Sequence, residues 1–248
     1  MMTEPALAIF FFIIALLYSS VGHGGASGYI AVMALLHFAP PTIRSTALVL
    51  NVVASGIAFI QFYSAHRMPF KLFLPLVITG IPAAYLGALI PAEGRMYTIV
   101  LGCTLLFAAW RLLVPVFNKQ GFEEYALTEV KTERAMLCGA AIGLLSGWLG
   151  IGGGILLSPL LILMRWSSVY HTASLSAAFI LVNSLSGIVA LRSNLSTLHP
   201  DIIMLAGIVA IGGMLGAYLG SNRFNKKVVR YVLSTVLSLS ALRLIFGS

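Results

Sequence analysis

The chain has 248 residues, of which 59% are hydrophobic and 9% charged, and its mean hydropathy is +0.99. Soluble domains run at roughly 45–50% apolar and about 25% charged, so this composition excludes a soluble globular protein and identifies a polytopic membrane protein. The net charge of +8 is scattered over short loops, the form of an orientation signal, and that excludes nucleic acid as a partner.

In chain order, hydrophobic stretches cover 5–21, 25–38, 43–64, 69–90 and 95–116, then 134–149, 153–164, 171–191, 198–221 and 227–246. The first has no basic n-region and no small-x-small cleavage site, and its counterpart recurs mid-chain, so it is expected to stay in the mature protein. It ends in a glycine run, Val21-Gly22-His23-Gly24-Gly25-Ala26-Ser27-Gly28. A second run, Leu149-Gly150-Ile151-Gly152-Gly153-Gly154, stands at the same place in the other half. Unwound backbone at membrane depth is tolerated only where it is buried in protein or lines a wet cavity. Paired interruptions in two halves point to a transporter's binding site.

Three further matches follow in the same order at a spacing near 130 residues. Ser55-Gly56-Ile57 answers Ser186-Gly187-Ile188, Ala84-Tyr85-Leu86-Gly87 answers Ala217-Tyr218-Leu219-Gly220, and Ala109-Trp110-Arg111-Leu112 answers Ala241-Leu242-Arg243-Leu244. The expected division is a first transmembrane repeat over 1–117, a polar cytoplasmic linker over 118–133 carrying Glu123, Glu124, Glu129 and Glu133, and a second repeat over 134–248. The fold class expected is all-α, with two inverted-topology repeats and short broken or re-entrant helices at the glycine runs.

The first two segments of each half fall short of the roughly 20 residues a straight span needs. Two thin spans or one re-entrant hairpin leave an odd number of crossings per half, which inverts the second half; one broken span would leave the halves parallel. Charge decides between them. With an odd count and the N-terminus outside, Arg67, Lys71, Arg111, Lys119, Lys131, Arg134, Arg165, Arg223, Lys226, Lys227 and Arg230 fall inside, while only Arg44, Arg95, Arg192 and Arg243 fall outside. An even count splits the same charges almost evenly. Both termini are therefore expected outside.

Gly139, Gly143 and Gly147 recur every four residues, as do Gly212, Gly216 and Gly220, giving smooth faces for close helix packing, with a homodimer as a second use. Cys103 and Cys138 lie in apolar segments and read as packed thiols, with no metal pair.

Every acid lies at a segment end or in the linker, so no carboxylate proton relay, acid-lined cation path or paired-acid catalysis is expected. No metalloprotease or nucleophile-elbow motif is present, and neither an enzyme nor a cofactor is expected. What stands at depth is neutral and rich in donors. The second segment of each half opens directly after its glycines, so its first amides are unpaired and its positive dipole end faces the break. Two inverted copies would bring two such ends together as a cage for a small oxyanion. The candidate substrate-binding residues are His23, Gly24, Gly25, Ala26, Ser27, Asn51, Gly152, Gly153, Gly154 and Asn183. His23 can alternatively bond a neighbouring carbonyl, Ser27 can cap its helix, and Asn51 and Asn183 can tie helices together. Arg44 and His171 precede the third segments and read as anchors of helix ends, the alternative being that they draw anions inward.

The repeated Gly-x-Gly-Gly break, the stretch Gly-Trp-Leu-Gly-Ile-Gly-Gly-Gly-Ile-Leu-Leu-Ser-Pro from Gly147 to Pro159 and the chain length resemble the sulfite exporter TauE/SafE family of bacterial and archaeal membrane proteins. The resemblance covers nearly the whole chain. It implies transport of sulfite, sulfonates or related small anions across the plasma membrane of a bacterium or archaeon. The function expected is a secondary transporter, an exporter of a small sulfur-containing oxyanion; the alternative is an anion channel or passive facilitator. A proton on His23 or a sodium ion on unwound carbonyls are both open as the coupling ion.

Overall fold

In the computed structural model, residues 4–20, 22–65, 68–117, 130–192, 197–220 and 226–246 are described. Val21, Arg67, Arg223, Ser248 and the polar segment 118–129, with Lys119, Glu123, Glu124 and Glu129, lie outside the described residues. The described chain is all-helical: α1 (Glu4–Ser19), α2 (Ala26–Leu35), α3 (Pro40–Ala65), α4 (Phe70–Leu89), α5 (Gly94–Phe117), α6 (Thr132–Leu149), α7 (Gly154–Leu163), α8 (Val169–Ala190), α9 (Ile202–Gly220) and α10 (Lys226–Phe246). These ten helices fall on the ten hydrophobic stretches of the sequence. Four of them, α3, α4, α8 and α9, are long and apolar enough to cross a membrane by length and composition. By contrast α2 and α7 have 10 residues each, or about 15 Å of rise, half the roughly 30 Å hydrocarbon core.

Both short helices start at a glycine in the left-handed region, Gly25 at φ 90° and Gly153 at φ 86°. An L side chain is strained there, which is why the runs are glycine. The first break reverses the chain: Ser27 donates to the Tyr18 hydroxyl at 2.8 Å, and the Tyr29 ring packs against Phe11 at 5.1 Å. Residues 27 and 29 thus lie back alongside residues 18 and 11, so α2 folds back along α1 and does not continue it. In the second half, Leu157 and Leu161 of α7 share a hydrophobic cluster with Ala135 and Ile142 of α6.

Small residues set which helices touch and in which direction. On α6, a Cβ at Gly139, Gly143 or Gly147 would overlap backbone at Leu76, Gly80 or Ala84 of α4. Both series advance by four residues, so α4 and α6 run parallel with backbones in contact. On α9, Gly212 and Gly216 meet the backbone of Phe12 and Leu16 in the same way, so α1 and α9 also run parallel. The smooth faces that were open to a dimer are therefore occupied within the chain at these five glycines; the side of Gly220 is outside the described residues. Conversely α3 and α8 run antiparallel, since Gly187 meets Leu48, Asn51 bonds Ser184, and Gly56 approaches Leu181. Arg95 at the start of α5 reaches the Ile245 carbonyl at the end of α10, so these two are antiparallel as well.

The packing is reciprocal: α4 rests on α6 and α8 as α9 rests on α1 and α3, and α2 touches α10 as α7 touches α5. Arg243 donates to the carbonyls of Ala34 and Leu35 and so caps the last turn of α2. Outward-facing Ile78, Leu86, Ile203, Met214 and Leu242 form an apolar exterior, as a lipid-facing surface requires.

Candidate functional site at the glycine breaks

The two breaks close on one side chain. Asn51, buried on α3, lies so that a Cβ on Gly24 would overlap its Oδ1 and a Cβ on Gly152 its Nδ2. Only glycine at both positions lets the two loops approach the amide. Its Nδ2 donates to the Ser184 hydroxyl of α8 at 3.0 Å, while its Oδ1 has no hydrogen-bond partner. Ile180 of α8 also borders Gly24, Gly152 and Gly154. The structure thus gathers Gly24, Asn51, Gly152 and Gly154.

The other candidates distribute around that centre. His23 reaches across to the other half, its Nε2 standing 3.1 Å from the Ser158 hydroxyl on α7. Ser158 in turn donates to Ser176 on α8 at 2.8 Å. The Ser158 hydroxyl thus bridges His23 Nε2 and Ser176. Ser27 does not cap α2, because its hydroxyl is turned to Tyr18; among the described residues no side chain caps α2 or α7. Their first amides therefore lack intrahelical partners. Ala26 is buried in the first turn of α2. Gly25 faces the Tyr29 hydroxyl, which a Cβ would approach to 2.9 Å, whereas Gly153 faces Phe179, Ile142 and Ser146. The two caps share none of these neighbours. Asn183 is buried with both amide atoms unpartnered, one position from Ser184 on α8.

Arg44 sits beside the second break. A Cβ on Gly150 would stand 2.8 Å from its side chain, and Nη1 donates to the Ile90 carbonyl at 2.7 Å and toward that of Trp148 at 3.5 Å. It thus anchors the ends of α4 and α6, as expected of a cation at helix C-termini. His171 contributes its backbone N–H to the Ser168 cap of α8. Among the described residues no cluster of metal-ligating side chains occurs, and Cys103 and Cys138 are free thiols.

Sequence reasoning passed over Ser158, Ser176, Ile180 and Tyr29. Ser158 was visible inside the quoted motif. The rest are ordinary residues on apolar helices whose meeting with the breaks depends on how distant helices pack. Electrostatically, the site offers two uncapped helix N-termini and neutral donors, with no carboxylate among its described members. Such a set suits a small anion.

Known proteins are similar to this chain along nearly its whole length. A family model described as sulfite exporter TauE/SafE matches residues 7–244. A probable membrane transporter protein, y4hK of Sinorhizobium fredii, is 36% identical over 243 residues, covering 97% of each chain. Another, YjnA of Bacillus subtilis, is 27% identical over 242 residues, covering 90% of this chain and 92% of its own. A third, MJ0441 of the archaeon Methanocaldococcus jannaschii, is 24% identical over 255 residues, covering 96% and 94%. No solved structure matches the chain.

Proposed function

The chain belongs to the sulfite exporter TauE/SafE family of membrane transporters, and from that premise we propose that it is a secondary transporter exporting a small sulfur-containing oxyanion, sulfite or an organosulfonate. The family and relatives are transporters and not enzymes. The observation that carries the proposal is the convergence of both glycine breaks, each opening an uncapped helix, on the Asn51 amide. Unpaired amides and positive helix ends bind an oxyanion without a buried formal charge at the centre. His23, Gly24, Gly25, Ala26, Ser27, Asn51, Gly152, Gly153, Gly154 and Asn183 are its proposed contacts.

The proposed architecture is two inverted repeats, 1–117 and 134–248, joined by a cytoplasmic linker. An axis in the membrane plane requires corresponding spans to run in opposite directions, and the antiparallel pairs α3/α8 and α5/α10 support it. The fold-back at the first break supports an odd number of crossings in that half. The protein is a multi-pass membrane protein; its proposed home is the plasma membrane of a bacterium or archaeon, with both termini outside.

Alternating access is favoured over a channel by closure of the site: Asn51, Ser55 and Asn183 are at most 1% exposed. A channel open to both sides would wet them. Proteoliposome assays test the reading. Saturable uptake of sulfite or a short alkylsulfonate, stimulated by an imposed proton or sodium gradient, is the expected result; current that rises with voltage and never saturates, or no uptake of any oxyanion, defeats it.

A further inference from the structure

Buried polar atoms without partners are costly, and each one calls for an explanation. Among the described residues Ser19 Oγ on α1, Tyr29 Oη on α2 and Arg111 Nε on α5 are three of them, and the other six line up: Arg44 Nε, Asn51 Oδ1 and Ser55 Oγ on α3, Thr172 Oγ1 and both amide atoms of Asn183 on α8. The five residues of that line are at most 6% exposed. Residues 44, 51 and 55 recur at i, i+7 and i+11, and 172 and 183 at i and i+11, spacings that keep each set on one stripe of its helix.

The two stripes belong to neighbouring antiparallel helices, tied where Asn51 bonds Ser184. Arg44 is the fifth residue of α3 and Thr172 the fourth of α8, each near the start of its helix. Because the helices oppose, these two residues mark opposite ends of the seam. Asn51 lies about 10 Å from Arg44 along α3, with Ser55 about 6 Å further, and Thr172 lies about 16 Å along α8 from Asn183. Orphaned polar groups therefore run from one end of the seam to the other, with the glycine breaks stacked beside them: Gly150 at Arg44, Gly152 and Gly24 at Asn51, and Gly22 at Phe62 and Ala173.

Arg44 has no carboxylate partner among the described residues, and carbonyl contacts leave its Nε unpaired. A guanidinium removed from water without a counter-ion is costly. A passing anion supplies one.

We propose that the α3/α8 seam is the translocation path, and that Arg44 is the counter-charge that meets the anion at the end where α3 begins, the outer end from which an exported anion leaves. This rests on the transport function proposed above and names its route. An arginine fits the task because its charge is permanent and its planar fork matches oxyanion geometry. The remaining orphans, neutral hydroxyls and amides, then hand the ion past the breaks without trapping it.

The test uses the full chain with Cys103→Ala and Cys138→Ala, reconstituted in lipid, and two thiol reagents of similar size. One is anionic (sulfonatoethyl methanethiosulfonate) and the other cationic (trimethylammonioethyl methanethiosulfonate). Ser55→Cys is expected to react with both, the anionic reagent being favoured. Arg44→Gln is expected to lower that preference on the order of tenfold, and Arg44→Lys to keep it. With Arg44 in place, the preference should also be larger at Ser55→Cys than at Thr172→Cys, which needs no change at Arg44. An unreactive seam in a protein that transports, a preference indifferent to Arg44→Gln, or equal preference at the two ends overturns the proposal and leaves Arg44 a brace for α4 and α6. Seam labelling with the expected charge pattern in a protein that takes up no oxyanion keeps the path and removes the proposed substrate instead.

Discussion

The two glycine breaks share a backbone and differ in chemistry. Each places a left-handed glycine before a 10-residue helix, Gly25 at φ 90°, ψ −2° and Gly153 at φ 86°, ψ −13°. Position by position the first carries His23, Ser27 and Tyr29 where the second carries Ile151, Ile155 and Leu157. Backbone amides and helix dipoles are thus common to both breaks, while at these three positions side-chain donors come from the first alone. The second half answers with Ser158, which meets His23 across the interface. Duplication preserves what the backbone must do, because left-handed geometry and close approach leave glycine no substitute; side-chain roles can drift apart.

Four experiments break or sharpen that contrast. The largest effect is expected where the halves agree. Gly25→Val and Gly153→Val should each abolish transport in inserted protein, because a branched residue is strained at positive φ and its Cβ would press on the Tyr29 hydroxyl or the Phe179 ring. If purified, folded variants of both bind the anion as tightly as the parent, the breaks are hinges and the ligand lies elsewhere. Next comes Asn51→Leu, which removes the amide between the breaks and its bond to Ser184. A loss of about 1–2 kcal/mol, roughly tenfold in Kd, is expected by calorimetric titration; unchanged affinity would make Asn51 a helix tie only.

The contrast itself is tested by His23→Ala against Ile151→Ala. The first should weaken anion binding several-fold by removing a donor, about 1 kcal/mol, and the second should leave affinity unchanged. Where His23 also carries the coupling proton, its loss flattens the pH dependence of transport between about pH 5 and 8. Equal losses would mean the site draws on both loops alike. The smallest effect on function belongs to Gly143→Ala, whose Cβ would overlap the Gly80 carbonyl. It should cost about 1–3 kcal/mol of stability, read as a lower Tm, with affinity intact. Gly207→Ala, with nothing within 4 Å of the new Cβ, should leave Tm unchanged.

Much was determined by the sequence alone, because the bilayer is a strict solvent. Apolar runs bounded by loops must become helices, since no other open structure satisfies its backbone in lipid, and the ten helices duly fall on ten such runs. Glycine at Gly25 and Gly153 marked the breaks because an L side chain is strained at their φ. The spacing of Gly139, Gly143 and Gly147 announced close packing but not its partner. Only the tertiary structure decided that this face meets α4, that α2 folds back along α1, and that Asn51 comes to lie between Gly24 and Gly152. These are contacts between residues tens to hundreds of positions apart, and local pattern holds no record of them. The orphaned polar line along α3 and α8 is of the same kind: its residues were plain in the sequence, but whether each finds a partner is settled only by what packs against it.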